Sequence, residues 1–165
     1  MQNRAAALDE KAGKLDEQGK RGADVLRKSA ENLRSGADVL RARGPDAPYA
    51  VIVPDSIYNS IGRPEGSQAF TMPGGGTTFF KRSGIFGETA ASPSYIIGHD
   101  SMHIGRGNGL FAKSIGPSLP DQTGSNRQRA YRFGETQESR DAFKELQGTM
   151  KGANNPDNLI NLVYP

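Results

Sequence analysis

Gly22-Ala23-Asp24-Val25-Leu26-Arg27 returns two heptads later as Gly36-Ala37-Asp38-Val39-Leu40-Arg41. The repeat belongs to a wider pattern. Ala5, Ala12, Ala23, Ala30 and Ala37 form one stripe, and Leu8, Leu15, Leu26, Leu33 and Leu40 form another. The steps run seven, eleven, seven and seven, a heptad with a four-residue stutter, and Gly19 and Gly22 fall at the irregularity. This spacing predicts a long helix over residues 4–43, or a helical hairpin if the chain bends at Gly19–Gly22. Alanine in the first seam position allows close helix approach but buries little area. The stripe then either docks on the rest of the chain, self-associates as a coiled coil, or binds a carrier or chaperone.

Gly44-Pro45-Asp46-Ala47-Pro48 ends the helical regime. Beyond it lies a glycine-rich body. Tyr49–Val53 reads as a strand stopped by Pro54, Ser56–Ile61 as a helical turn, 62–76 as loop, and Thr77–Lys81 as a second strand. A helix should begin at Ser92-Pro93, a cap followed by a proline suited to the first turn, and stop at Gly105. Residues 113–127 read as loop. Thr136 should cap a helix over 137–147, with Phe143, Leu146 and Met150 facing inward and Gly148 closing it. The C-terminus, after a turn at Asn154–Asp157, reads as a strand or extended tail. The expected class is α+β: a helical leader over 1–44 and a small, loop-rich domain over 45–165.

The totals exclude several chemistries. There is no cysteine among the 165 residues, so neither a thiolate nucleophile nor a Cys-ligated zinc is available. No apolar run is long enough to span a bilayer, and Met1–Ala5 lacks the apolar stretch of a secretory signal. Export would therefore require a specialised secretion route. The formal charge of +3 lies entirely in residues 1–44, which hold ten Lys/Arg against seven Asp/Glu; the remainder holds eleven of each. One local exception is the run with Arg106, Lys113, Arg127, Arg129 and Arg132 against Asp121 alone, a surface suited to phosphates and to nucleic acid.

The two histidines of the chain, His99 and His103, precede that run directly. On a helix they share a face one turn apart, with Asp100 beside them. Two neutral imidazoles supply two ligands to a divalent ion (zinc, magnesium or calcium), and a hydrolytic site needs a third ligand. Glu88, Asp121, Glu135, Glu138 and Asp141 are candidates that spacing does not separate. The competing reading is a hydrogen-bonded core pair. The runs Gly105–Gly109 and Gly74–Thr78 could present backbone N–H groups to an anion, and are equally well plain turns.

His99-Asp100-Ser101-Met102-His103 resembles the His-Glu-x-x-His helix of zinc metallopeptidases, with Asp100 where that family has its general base. His99-Asp100 also resembles the catalytic pair of secreted phospholipases A2, which implies His99 as base and Asp100 as calcium ligand. Asn154-Asn155-Pro156-Asp157-Asn158-Leu159 resembles the Asn-x-x-Asn-Leu stretch of His-Asn-His nucleases. That likeness implies His103 as base and Asn158 as the residue orienting it. The organisation as a whole is similar to the C-terminal modules of bacterial polymorphic toxins and secreted effectors, in which a helical connector precedes a small enzyme. Such modules imply an immunity or carrier protein as partner.

These readings converge on a metal-dependent hydrolase acting on phosphodiesters. His99, Asp100 and His103 would hold the ion and move the proton, Asn158 would orient the base, and Arg106, Arg127 and Arg129 would contact phosphate. A zinc peptidase-like or phospholipase-like hydrolase is the nearest alternative. The contrasting expectation is non-enzymatic: a phage or injection-machine component whose helix oligomerises through residues 4–43.

Overall fold

A computed structural model describes residues 1–42, 47–61, 66–71, 76–88, 91–104 and 117–165. The leader is a helical hairpin. Helix α1 (Gln2–Glu17) and helix α2 (Ala23–Arg41) meet at a turn in which Gly19 and Gly22 take positive φ angles of 62° and 101°. A side chain there would strain the backbone, so the two glycines that interrupt the heptads are what fold the helix back. Arg27 pairs with Asp16, Arg34 with Asp9, and Gln2 reaches Asp38, contacts that set the helices antiparallel. The single long helix allowed by the spacing is thus replaced by its hairpin alternative.

The seam is spent inside the chain. Ala5, Leu8, Ala30 and Leu33 join Tyr95, Met102, Leu119, Leu159 and Ile160 in one core, so leader and body share an interior. Burying Leu33 completely contributes roughly 2–3 kcal/mol of hydrophobic stabilisation.

The sheet has three strands in the order β1 (Tyr49–Val53), β3 (Thr77–Lys81), β2 (Ala69–Thr71). β1 lies parallel to β3, and β2 antiparallel to it. β2 falls within the stretch expected to be loop; stacking of Phe70 on Phe79 across the pair, ring centroids 5.1 Å apart, supports so short a strand. Helices α3 (Asp55–Ser60) and α4 (Arg82–Phe86) flank the sheet.

Helix α5 (Pro93–His103) carries both histidines. Ser92 Oγ accepts from Tyr95 N at 3.3 Å and Pro93 opens the first turn, as the sequence predicts. At the other end the returning chain satisfies helix carbonyls: Ser118 N donates to Ile104 O and Leu119 N to Met102 O. Helix α6 (Gln137–Leu146) is capped by Thr136, and buries Phe143 and Leu146 against Ala130 and Ala142. Met150 is exposed rather than inward.

The C-terminus corrects the expected strand. A 3₁₀ turn (Gly152–Asn154) leads into helix α7 (Pro156–Asn161), which begins with proline at its first position and Asp157 in its first turn. Leu159 and Ile160 then point into the core instead of alternating between two faces.

Candidate metal centre

Three segments build the site. Helix α5 places His99 and His103 one turn apart, and their Nε2 atoms face each other at 3.0 Å. The chain that closes the end of α5 continues to Asp121, whose Oδ1 lies 3.5 Å from the Nε2 of each histidine. The first turn of α7 supplies Asp157, whose Oδ1 accepts from His99 Nδ1 at 3.0 Å.

The outer partners fix the chemistry of the inner atoms. His103 Nδ1 donates to Leu119 O at 2.7 Å, and His99 Nδ1 donates to Asp157. With both Nδ1 atoms carrying hydrogens, neutral rings would present two Nε2 lone pairs to each other. Asp121 Oδ1 adds a third acceptor. It is buried, and among the described residues it is the one buried side-chain polar atom without a hydrogen-bond partner. With both rings neutral, three acceptors converge on one point with no donor between them, an arrangement that a proton on one ring or a metal cation would satisfy.

The spacing fits a tetrahedral ion. Ligands about 2.0–2.1 Å from zinc stand roughly 3.3–3.4 Å apart at tetrahedral angles. The three atoms here are separated by 3.0, 3.5 and 3.5 Å. Among the described residues His99, His103 and Asp121 form the group able to hold a metal. The structure thus picks Asp121 from the five acids that spacing left equal.

Asp121 is itself held by a tight excursion of the chain. Gly124 N donates to Gln128 O, Ala130 N to Gln122 O, and Arg127 takes φ 63° at the tip. This returns Tyr131 to Asp121, where its hydroxyl donates to Oδ2 at 2.6 Å. Asn155, fully buried, pins both strands of the excursion: its Oδ1 accepts from Gln122 N and its Nδ2 donates to Ala130 O. Asp157 Oδ2 accepts from Arg132 N at 2.7 Å, tying the same segment to His99.

Protonation follows these contacts. Burial by itself would lower the His99 pKa, but the Asp157 hydrogen bond and the charges of Asp157, Asp100 and Asp121 outweigh it and raise it to about 9. Burial and the neighbouring His99 charge lower His103. Without an ion, then, a proton on His99 Nε2 is shared with His103. Burial pushes the Asp100 carboxyl up to about 6, against the opposing pull of His99 and of a hydrogen bond from Thr71 Oγ1 at 3.2 Å. Burial and the Asp121 charge also hold the Tyr131 hydroxyl well above its usual range.

The site opens into a cleft of about 1110 Å³. Asp100 lines it, but its carboxylate faces Thr71 and it is not part of the ligand group. Arg127 and Arg129 line the cleft as well, and Arg129 Nη1 lies 3.7 Å from Asp121 Oδ2. Asn158 is placed differently from the nuclease likeness. Its Nδ2 donates to Phe143 O, its Oδ1 accepts from Asn155, and the residue that orients a histidine is Asp157. Arg106, Lys113 and the runs 105–109 and 74–75 lie outside the described residues.

Sequence reasoning missed Asp157 and Tyr131. Asp157 left one signal, an acidic residue directly after a first-turn proline; Tyr131 left none. The chain matches no protein-family model, no curated protein and no solved structure.

Proposed function

We propose that this protein is a metal-dependent hydrolase whose divalent ion is held by His99, His103 and Asp121. The buried, donorless Asp121 Oδ1 facing two Nε2 atoms carries the reading. A mixed nitrogen and carboxylate set of three suits zinc and would leave a coordination position for water or substrate. The ion, when bound, supplies Lewis acidity and lowers the pKa of water. The chain's own residues do the rest. Asp157 and Leu119 O lock the imidazole tautomers, and Tyr131 fixes the carboxylate. Asp100, whose carboxylate accepts from Thr71 on the cleft wall, adds negative charge beside His99.

Arg127 and Arg129 on the cleft favour a phosphodiester, whose negative oxygens they would bind. A peptide substrate is the second reading, supported by the position of Asp100 directly after the first ligand on the helix. Either activity would suit a toxin or effector module. The test is zinc titration of chelator-stripped protein, followed by assays with bis(p-nitrophenyl) phosphate, DNA, RNA and casein. We expect one zinc per chain, phosphodiester cleavage, and loss of both in folded His99→Ala, His103→Ala and Asp121→Asn. Full activity in any of these folded variants would refute the site, and casein cleavage alone would transfer the substrate to the second reading. Growth arrest on bacterial expression, relieved by His99→Ala, would support the toxin setting.

A further inference from the structure

Among the described residues, strand β1 is a sheet edge with no element paired to its outer side. Tyr49 N donates to Gly76 O at 2.6 Å, and the parallel register aligns Tyr49, Val51 and Val53 with Thr77, Phe79 and Lys81. The backbone N–H and C=O groups of residues 49, 51 and 53 therefore point at β3, and those of Ala50 and Ile52 point away from the sheet. No described residue pairs with these four outward groups. The side chains are as open as the edge: Tyr49 is 65% exposed and Ile52 48%. Natural sheets guard such an edge with charge, a bulge or a covering element, yet Tyr49-Ala50-Val51-Ile52-Val53 contains no charged residue.

The placement of the outward groups fits a second copy of the same strand. In an antiparallel pair, opposed residues alternate between those that exchange two hydrogen bonds and those that exchange none. A two-fold axis at Val51 opposes Ala50 to Ile52 of a second copy, and Ile52 to its Ala50. All four outward groups of each chain then find partners, and Val51 meets Val51 at the non-bonded position. Tyr49 falls opposite Val53, an aromatic and β-branched pair of the kind that stabilises sheets. No like charges meet, because the strand has none. Pro48 and Pro54 bound the strand at both ends and limit the pairing to these five residues. Such a contact is isologous and closes at two copies.

We propose that the protein dimerises through β1, joining two three-stranded sheets into one of six strands across a two-fold axis at Val51. The proposal is independent of the metal centre, which uses other elements. The test uses the metal-stripped full chain. Sedimentation velocity at about 100 µM should show a species near twice 17.7 kDa. Ile52→Pro removes an outward N–H and leaves the bonds to β3 intact, so it should give a folded monomer. Val51→Cys, in a chain without other cysteine, should form an intermolecular disulfide rapidly under mild oxidation, because opposed residues at a non-bonded position have Cα atoms about 4.5 Å apart. Ile57→Cys, exposed on α3, is the control and should couple at least tenfold more slowly. A wild-type monomer at 100 µM overturns the proposal, and so does a dimer that survives in folded Ile52→Pro. If Ile52→Pro does not fold, equal coupling rates for the two cysteine variants overturn it. A monomer whose β1 amides gain protection only with a different protein would assign the edge to that partner and likewise end the proposal.

Discussion

At the proposed zinc site, zinc and a proton would compete for the same nitrogen. With its pKa raised to about 9, His99 of the stripped protein is protonated in about 97% of molecules at pH 7.5. An imidazole with the ordinary value near 6.5 would be protonated in only about 9%. Zinc must displace that proton from Nε2, because Nδ1 is committed to Asp157. Calorimetric titration of zinc in buffers of different ionisation enthalpy counts the protons released. Protons shed by solvent on the ion add to the count, so the quantity to read is the difference between wild type and Asp157→Asn. Removing the carboxylate charge takes away the largest raising contribution and should lower the count by up to about 0.9 proton at pH 7.5. Apparent zinc affinity of the wild type should rise about tenfold per pH unit from 7 to 9 and level off above that. Above pH 9, where proton competition is gone, Asp157→Asn should still bind about 10–100-fold more weakly, because the carboxylate that orients the ring and raises its basicity is lost. Equal proton counts in the two proteins would refute the argument that Asp157 sets the state of His99.

The same raised pKa has a stability consequence. Stabilisation from protonated His99 is fully present below about pH 6.5 and lost as pH rises through about 9, on the order of 3 kcal/mol in all. Thermal melts of stripped protein should show this fall, and zinc-loaded protein should not; a flat apo profile would contradict it. Asn155→Ala removes the two hydrogen bonds that hold the Asp121 excursion and a third to Asn158, so it should cost about 2–4 kcal/mol in urea unfolding and weaken zinc binding at least tenfold. Asn158→Ala should lower stability by a similar amount yet leave the turnover number of loaded protein within about twofold at temperatures well below its melting point. Gly152→Ala should be among the most destabilising single changes, above about 3 kcal/mol, because the new Cβ would lie 2.0 Å from Leu146 O, a backbone atom.

Local signals in the sequence translated well into structure. Ser92-Pro93 and Thr136 start helices where capping chemistry says they should, and the heptad stutter at Gly19–Gly22 marks a real reversal. Failures came where two local readings compete. Pro156-Asp157 is a helix start and Leu159–Val163 an apolar strand-like run; the helix wins because Leu159 and Ile160 both reach the core from one face. The site divides in the same way. The histidine pair was legible because both ligands lie on one helix turn. Asp121 was one acid among five because its place depends on Ser118 and Leu119 closing the end of α5, a tertiary event with no periodic trace. Asp157 comes from still further along the chain, beside an asparagine, Asn158, whose nuclease-like spacing carries the stronger local signal.

That closure explains why the site and the fold are difficult to separate. The segment that satisfies the last carbonyls of α5 also delivers Leu119 O to His103 and Asp121 to the ion position. Its far end is pinned by Asn155 and Asp157 on the C-terminal turn, which in turn packs Leu159 and Ile160 against the leader. Packing is therefore consistent at every level except one, the buried Asp121 Oδ1 left without a hydrogen-bond partner beside the two imidazoles. A fold gains nothing from a buried Asp121 Oδ1 with no partner; it sacrifices about 1–3 kcal/mol of desolvation to keep it there. Zinc at a thousand times its dissociation constant would return about 4 kcal/mol. On the proposed reading the locally unfavourable cluster would be stable as part of a loaded protein, and conflicts of that kind are expected where function rather than folding shapes a sequence.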